Sequence, residues 1–162
     1  MKEILIGCLA LLIPIVTFAG YGNTDWGMTP SQVVAAEKGR AKIITPAQYK
    51  IGIGKVQSEN IEVSSGLYTA TFIFDNDDRL IQTNLVSNEK NNAGIAQIHF
   101  NSLNKLLTQK YGEPSFKSAE SVTWKTPDTT IELNKTIIPR ILAQTSVRYI
   151  PNSKVDSDTS SL

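Results

Sequence analysis

The chain is poor in the residues that most often carry chemistry. Among its 162 residues there is one cysteine, Cys8, and one histidine, His99. Zinc and transition-metal sites ordinarily draw on two or more such ligands, so neither a metal nor any other cofactor is expected. Charge of one sign is lacking too. Sixteen Lys and Arg stand against fifteen Asp and Glu, for a net charge of +1, and no run of five like charges occurs. That balance gives no electrostatic reason to expect nucleic acid or an anionic membrane as a partner. Hydrophobic residues at 41% and charged residues at 19% are ordinary for a folded domain and exclude wholesale disorder. The length suits one domain.

The one long apolar run lies at the amino terminus. Ile4 to Phe18 is broken only by Gly7, Pro14 and Thr17. As a helix it would span about 22 Å, short of the roughly 30 Å of a bilayer core. Thr17 and Ala19 place small residues at the −3 and −1 positions of a cleavage site. Residues 1–19 therefore read as a secretory signal peptide cut after Ala19, with the protein destined for the periplasm or the secreted space. Membrane contact is expected only through that segment. Leu5-Ile6-Gly7-Cys8 has the form of a lipoprotein box. Too few residues precede Cys8 and too many apolar ones follow it, so lipidation there is not expected. The mature chain would then hold no cysteine, and its fold must rest on packing rather than disulfides.

Two helices are signposted. Thr29, Pro30 and Gln32 form a capping box with proline at the first helical position, and Met28 and Val33 can staple it. That helix should end near Lys38, at Gly39. The second should run from Ala93 to Tyr111, with Ile95, His99, Leu103, Leu106 and Leu107 on its apolar stripe and Gly112 at its end. Strands are expected at 41–45, 49–56, 67–74, 79–86, 121–124, 129–133 and 141–150. Within 49–56, Gly52 and Gly54 suggest a bulge or a close backbone approach. The fold class expected is α+β: two helices packed on one face of an antiparallel sheet, over residues 20–150. Helix followed by hairpins occurs in each half, which leaves a diverged repeat open. From Pro151 to Leu162 the chain is polar and is expected to be a disordered tail.

Trp26-Gly27-Met28-Thr29-Pro30-Ser31-Gln32-Val33 resembles the opening of small exported bacterial proteins of the BamE type, within the wider β-lactamase-inhibitor-protein-like group. Tyr111-Gly112-Glu113-Pro114 is similar to helix endings in that group. The resemblance covers about twelve positions. It implies a helical pair on an antiparallel sheet and a role in binding other proteins. No binding residue is carried over from it.

The motifs that could carry chemistry have simpler readings. His99 lies on a helix stripe, and no Gly-x-Ser-x-Gly elbow supplies it with a nucleophile. Asp75, Asp77 and Asp78 lack the glycine and distal glutamate of a calcium loop and suit a hairpin turn instead. Ser102-x-x-Lys105 and Ser87-x-x-Lys90 both fit the penicillin-recognising motif, without its partner motifs. Ile51-Gly52-Ile53-Gly54-Lys55 lacks phosphate-loop spacing. Glu62, Glu113, Glu120 and Glu132 could supply a carboxylate pair, and nothing singles any of them out. Aromatic anchors remain. Tyr21, Trp26 and Trp124 are the candidate partner-binding residues. The function expected is non-catalytic binding of another extracytoplasmic protein, against inhibition of a secreted hydrolase or a small carboxylate-dependent hydrolase.

Overall fold

The computed structural model describes residues 19–159, with side chains to Asp156. The expected signal peptide ahead of Ala19, with Cys8, lies outside the described residues. The capping box forms as the sequence dictates. Thr29 accepts from the Gln32 amide and the Gln32 side chain accepts from the Thr29 amide, which opens α1 (Pro30–Ala36). Asn92 caps α2 (Ala93–Tyr111), and Gly112 ends it at φ 83°. Between and after these helices run β1 (Lys42–Tyr49), β2 (Gly52–Val63), β3 (Gly66–Phe74), β4 (Leu80–Ser87), β5 (Phe116–Lys117), β6 (Ser121–Lys125), β7 (Thr129–Ile138) and β8 (Leu142–Pro151).

All eight strands join one antiparallel sheet in the order β1-β2-β3-β4-β8-β7-β6-β5. Two four-strand meanders, each preceded by a helix, meet where β4 pairs with β8. The halves share this order but not their dimensions: α1 has 7 residues against 19 in α2, and β5 has 2 residues against 8 in β1. Among the described residues strand makes up 46% and helix 22%, so the fold is mainly β. This corrects the expected α+β arrangement of two helices packed on a sheet. The expected strands were too short because polar residues sit inside real ones. Gln57 to Asn60 lie within β2, and Asn134 to Thr136 within β7, where one side of the sheet faces water. Pro46 lies inside β1 at a register shift between Ile43 and Ala47. An edge strand tolerates the missing N–H.

The carboxyl-terminal segment is also ordered differently from the expected tail. Pro151 closes β8 opposite Thr129, and Asn152–Thr159 forms α3. Asn152 holds the junction: its amide side chain donates to the Thr126 and Pro127 carbonyls and accepts from the Thr130 hydroxyl.

Register assigns each residue to a face. On the core face Val56, Phe72, Thr83, Tyr149, Ile131 and Trp124 form one lateral row from β2 to β6. Val33 from α1 and Phe100, Leu103 and Leu107 from α2 close over it in a single hydrophobic cluster. Tyr21, Tyr68 and Tyr149 are built into this layer, and burial pushes the hydroxyls of Tyr21 and Tyr68 up to about 12. At Tyr21 the charge of Glu37 adds to the effect of burial. Tyr149 is raised well above its ordinary value, first by burial and then by Tyr111 and Tyr21. The folded protein thus keeps phenolic protons that the unfolded chain releases near pH 10. Stability is therefore fully present below about pH 10 and is lost as the pH rises toward 12. Urea midpoints should be level between pH 8 and 9.5 and fall beyond 10. The Tyr21→Phe, Tyr68→Phe double variant should soften that fall, and a midpoint level to pH 11.5 would contradict the assignment.

Candidate functional site

The three aromatic candidates divide. Trp124, on β6, is 1% exposed, and its indole N–H donates to the Gly112 carbonyl at 3.0 Å. It belongs to the core, locks the end of α2 to the sheet, and offers no surface to a partner. Trp26 is half-buried, and its indole N–H donates to the Thr129 hydroxyl at 2.9 Å. The same hydroxyl donates to the Ala19 carbonyl. Tyr21 is half-buried as well, its ring tilted against Tyr149 at 5.2 Å and Phe72 at 6.1 Å. Tyr21 and Trp26 therefore anchor the amino-terminal segment to the sheet. Buried Glu37 finishes that anchor by accepting from the Asn23 amide at 2.9 Å and pairing with Arg40 at 2.9 Å.

Between this segment and the end of α2 lies a cleft of about 490 Å³, lined by residues including Ala19, Gly20, Tyr111, Asp128 and Tyr149. Its size falls in the range of small-ligand pockets. Among the described residues Asp128 is the single carboxylate in its lining, and neither histidine nor cysteine contributes to it. The ammonium of Lys110 lies over the Tyr111 ring, 5.0 Å from its centre. Tyr111 and Tyr149 thus line the cleft together with one cation, Lys110, and one anion, Asp128.

The larger feature is the sheet face opposite the core. Lys42, Gln57, Thr71, Asn84, Arg148, Glu132, Thr123 and Phe116 stand in register and form one lateral row across all eight strands. At about 4.8 Å per strand the row is on the order of 30 Å long. Neighbouring Thr69, Val86, Ser146, Asn134 and Ser121 form a second row. Neither α1 nor α2 packs there, and α3 reaches only the end at Thr130.

The polar groups of this face are tied to one another. Gln57 donates to the Thr71 hydroxyl at 3.0 Å, Gln82 to the Asn84 side chain at 2.5 Å, and Arg148 pairs with Glu132 across β7 and β8. Gln82 and Asn84 share β4, whereas the other two pairs cross strands; such surface pairs are worth only tenths of a kcal/mol to about 1 kcal/mol each. They tie together a largely polar face, on which Thr71 and Gln82 are themselves buried and Ile73 stands beside them at 0% exposure. Sequence reasoning missed it. The polar member of each alternating strand was visible, but the alignment of those members across strands is a property of register.

The remaining motif residues are placed simply. His99 is buried in α2 against Tyr68, with ring centres 5.5 Å apart and Nδ1 without a hydrogen-bond partner among the described residues. Asp75 accepts from the amides of Asp77 and Arg79 and so holds the β3–β4 turn, while Asp78 pairs with Lys55. Glu132 is engaged by Arg148, and Glu62, Glu113 and Glu120 are exposed. Among the described residues no three of the His, Cys, Asp and Glu side chains converge as metal ligands would. No described helix is long and apolar enough to cross a membrane.

No curated protein and no solved structure matches the chain. A family model does, and it spans nearly the whole sequence: residues 19–160 match the TP0088 domain, a segment that takes in both meanders, the three helices and the amino-terminal anchor at Ala19. The chain belongs to the TP0088 domain family.

Proposed function

We propose that this is an exported, non-catalytic domain that binds another protein of the cell envelope or secreted space through the uncovered face of its sheet. The observation that carries the reading is the lateral row from Lys42 to Phe116, in register over all eight strands with no helix packed on it. Fixed polar groups favour a protein surface of complementary hydrogen-bonding pattern, since donors already held in place cost little entropy on binding. Export is supported by the amino-terminal apolar run and by a family match that begins at residue 19. The resemblance at Gly27 to Val33 points the same way.

The test is affinity capture from the envelope and secreted fractions of the source organism, with crosslinking to identify the contact. The Asn84→Arg, Ser146→Arg double variant places two new cations at the centre of the face. It should reduce capture of a stoichiometric partner at least tenfold while lowering the thermal midpoint by only a few degrees, since Asn84 faces Arg148 and accepts from Gln82. Gln109→Arg, on the exposed side of α2, should leave capture unchanged. A partner held equally well by all three proteins would refute the assignment of the face. Absence of any stoichiometric partner would refute the binding role.

A further inference from the structure

At the end of the sheet opposite the cleft, the β7–β8 hairpin runs past its neighbours. β6 leaves β7 at Asn134 and β4 leaves β8 at Ser146, yet β7 and β8 continue pairing through Ile138 and Leu142. The hairpin therefore outruns those two ladders by four rungs, about 13 Å, and neighbouring segments still hold it as far as Ala143, so that its tip from Ile138 to Leu142 is what projects as a finger. Its root is braced where Ala143 donates to the Lys90 carbonyl at 2.7 Å and Lys135 bonds the Gln97 side chain. Its turn is closed by the Ile141 amide donating to the Ile138 carbonyl at 3.0 Å, with Arg140 at φ 64°.

A solvated hairpin turn is normally polar. This one carries Ile137 at 43%, Ile138 at 44% and Ile141 at 73% exposure. Between Lys135 and Gln144 the only charged residues are Lys135 and Arg140, both cations, and Lys90 lies exposed beside the root.

The geometry points to a phospholipid surface as the occupant of this tip. Ile137 and Ile138 are consecutive on one strand and face opposite sides of the finger. A groove in a protein would cover one side and leave the other in water. The headgroup and acyl boundary of a bilayer surrounds both at once. Arg140 can extend its guanidinium to the lipid phosphates while the isoleucines enter the acyl region. Depth is limited by the unpaired backbone groups on the finger's outer edges, which hydrocarbon would leave unsatisfied. Contact is therefore confined to the turn. This inference concerns a surface distinct from the polar face and does not rest on the partner-binding reading.

Flotation of the purified protein with vesicles tests it, since every variant shares the same amino-terminal segment. One set of vesicles is pure phosphatidylcholine and the other contains about one-third phosphatidylglycerol. The wild-type chain should float with the anionic vesicles. The Ile138→Asp, Ile141→Asp double variant should lose at least tenfold in bound fraction, with an unchanged thermal midpoint because both side chains are exposed. Arg140→Glu should lose binding to the anionic vesicles more than to the neutral ones. Wild-type protein that stays at the bottom of the gradient, or a double variant that floats equally well, would overturn the proposal. So would loss of a captured protein partner by the double variant with no vesicle binding by the wild type.

Discussion

Replacing Trp124 by alanine is expected to lower the free energy of unfolding by about 3–5 kcal/mol, enough to leave a domain of this size barely folded at 37 °C. The side chain stands at the outer end of the core row, opposite Ile131 across β6 and β7. At 1% exposure it is among the largest fully buried groups of the protein. Its removal withdraws a full aromatic burial and leaves a cavity that the flanking strands cannot close without breaking their ladders. The hydrogen bond to the Gly112 carbonyl is lost as well. Trp124→Phe separates the two contributions. It keeps most of the volume and loses the indole N–H, and should cost only about 1 kcal/mol more than its smaller size explains. Urea denaturation followed by circular dichroism reads both. A loss below about 1 kcal/mol for Trp124→Ala would contradict its place in the core.

Gly52→Ala is expected to be the most damaging of the glycine substitutions, at about 2–3 kcal/mol. A Cβ there would lie 2.4 Å from the Phe74 carbonyl oxygen, with Ile73 Cγ2 at 3.1 Å and Ile81 Cδ1 at 3.2 Å. The first contact is with backbone, so relief requires β2 to move relative to β3. The contrast is Gly39, where φ is 84° and nothing lies within 4 Å of an added Cβ. Alanine at Gly39 meets only the left-handed backbone penalty, roughly 1–2 kcal/mol. Thermal melts of the two variants should rank Gly52→Ala below Gly39→Ala. The reverse order would mean that backbone conformation, rather than close approach of the strands, is what demands glycine in this protein.

Gly52 also shows how far the sequence could be read. Two glycines in an alternating stretch suggest a bulge or a close backbone approach, and both are there: a register shift between Gly54 and Val56, and the approach of Gly52 to Phe74. The stretch alone could not say which strand comes close, because Phe74 is separated from Gly52 by a complete hairpin. The same limit applies to Trp124. Its position beside a turn left open whether it was an anchor for a partner or a core residue. Only the approach of Gly112 from the end of α2 makes it the latter.

Local chemistry was determined by the sequence alone. The caps of α1 and α2 form from side chains within three residues of the backbone groups they satisfy, and Gly112 stops α2 because it can take a left-handed conformation. The β3–β4 hairpin follows from alternation and from Asp75, whose carboxylate binds two amides of its own turn. Tertiary structure decided everything that depends on who lies beside whom. Polar Gln57 and Ser58 became strand because β3 was present to pair with them, and polar Asn152 ended up capping a turn 25 residues upstream. The balance of the fold shifted to β for this reason, since a ladder takes its hydrogen bonds from another segment and so leaves little trace in its own composition. Register then set the polar row on one face and carried the Ile137–Ile141 turn beyond its neighbours. Both proposed surfaces are products of that alignment.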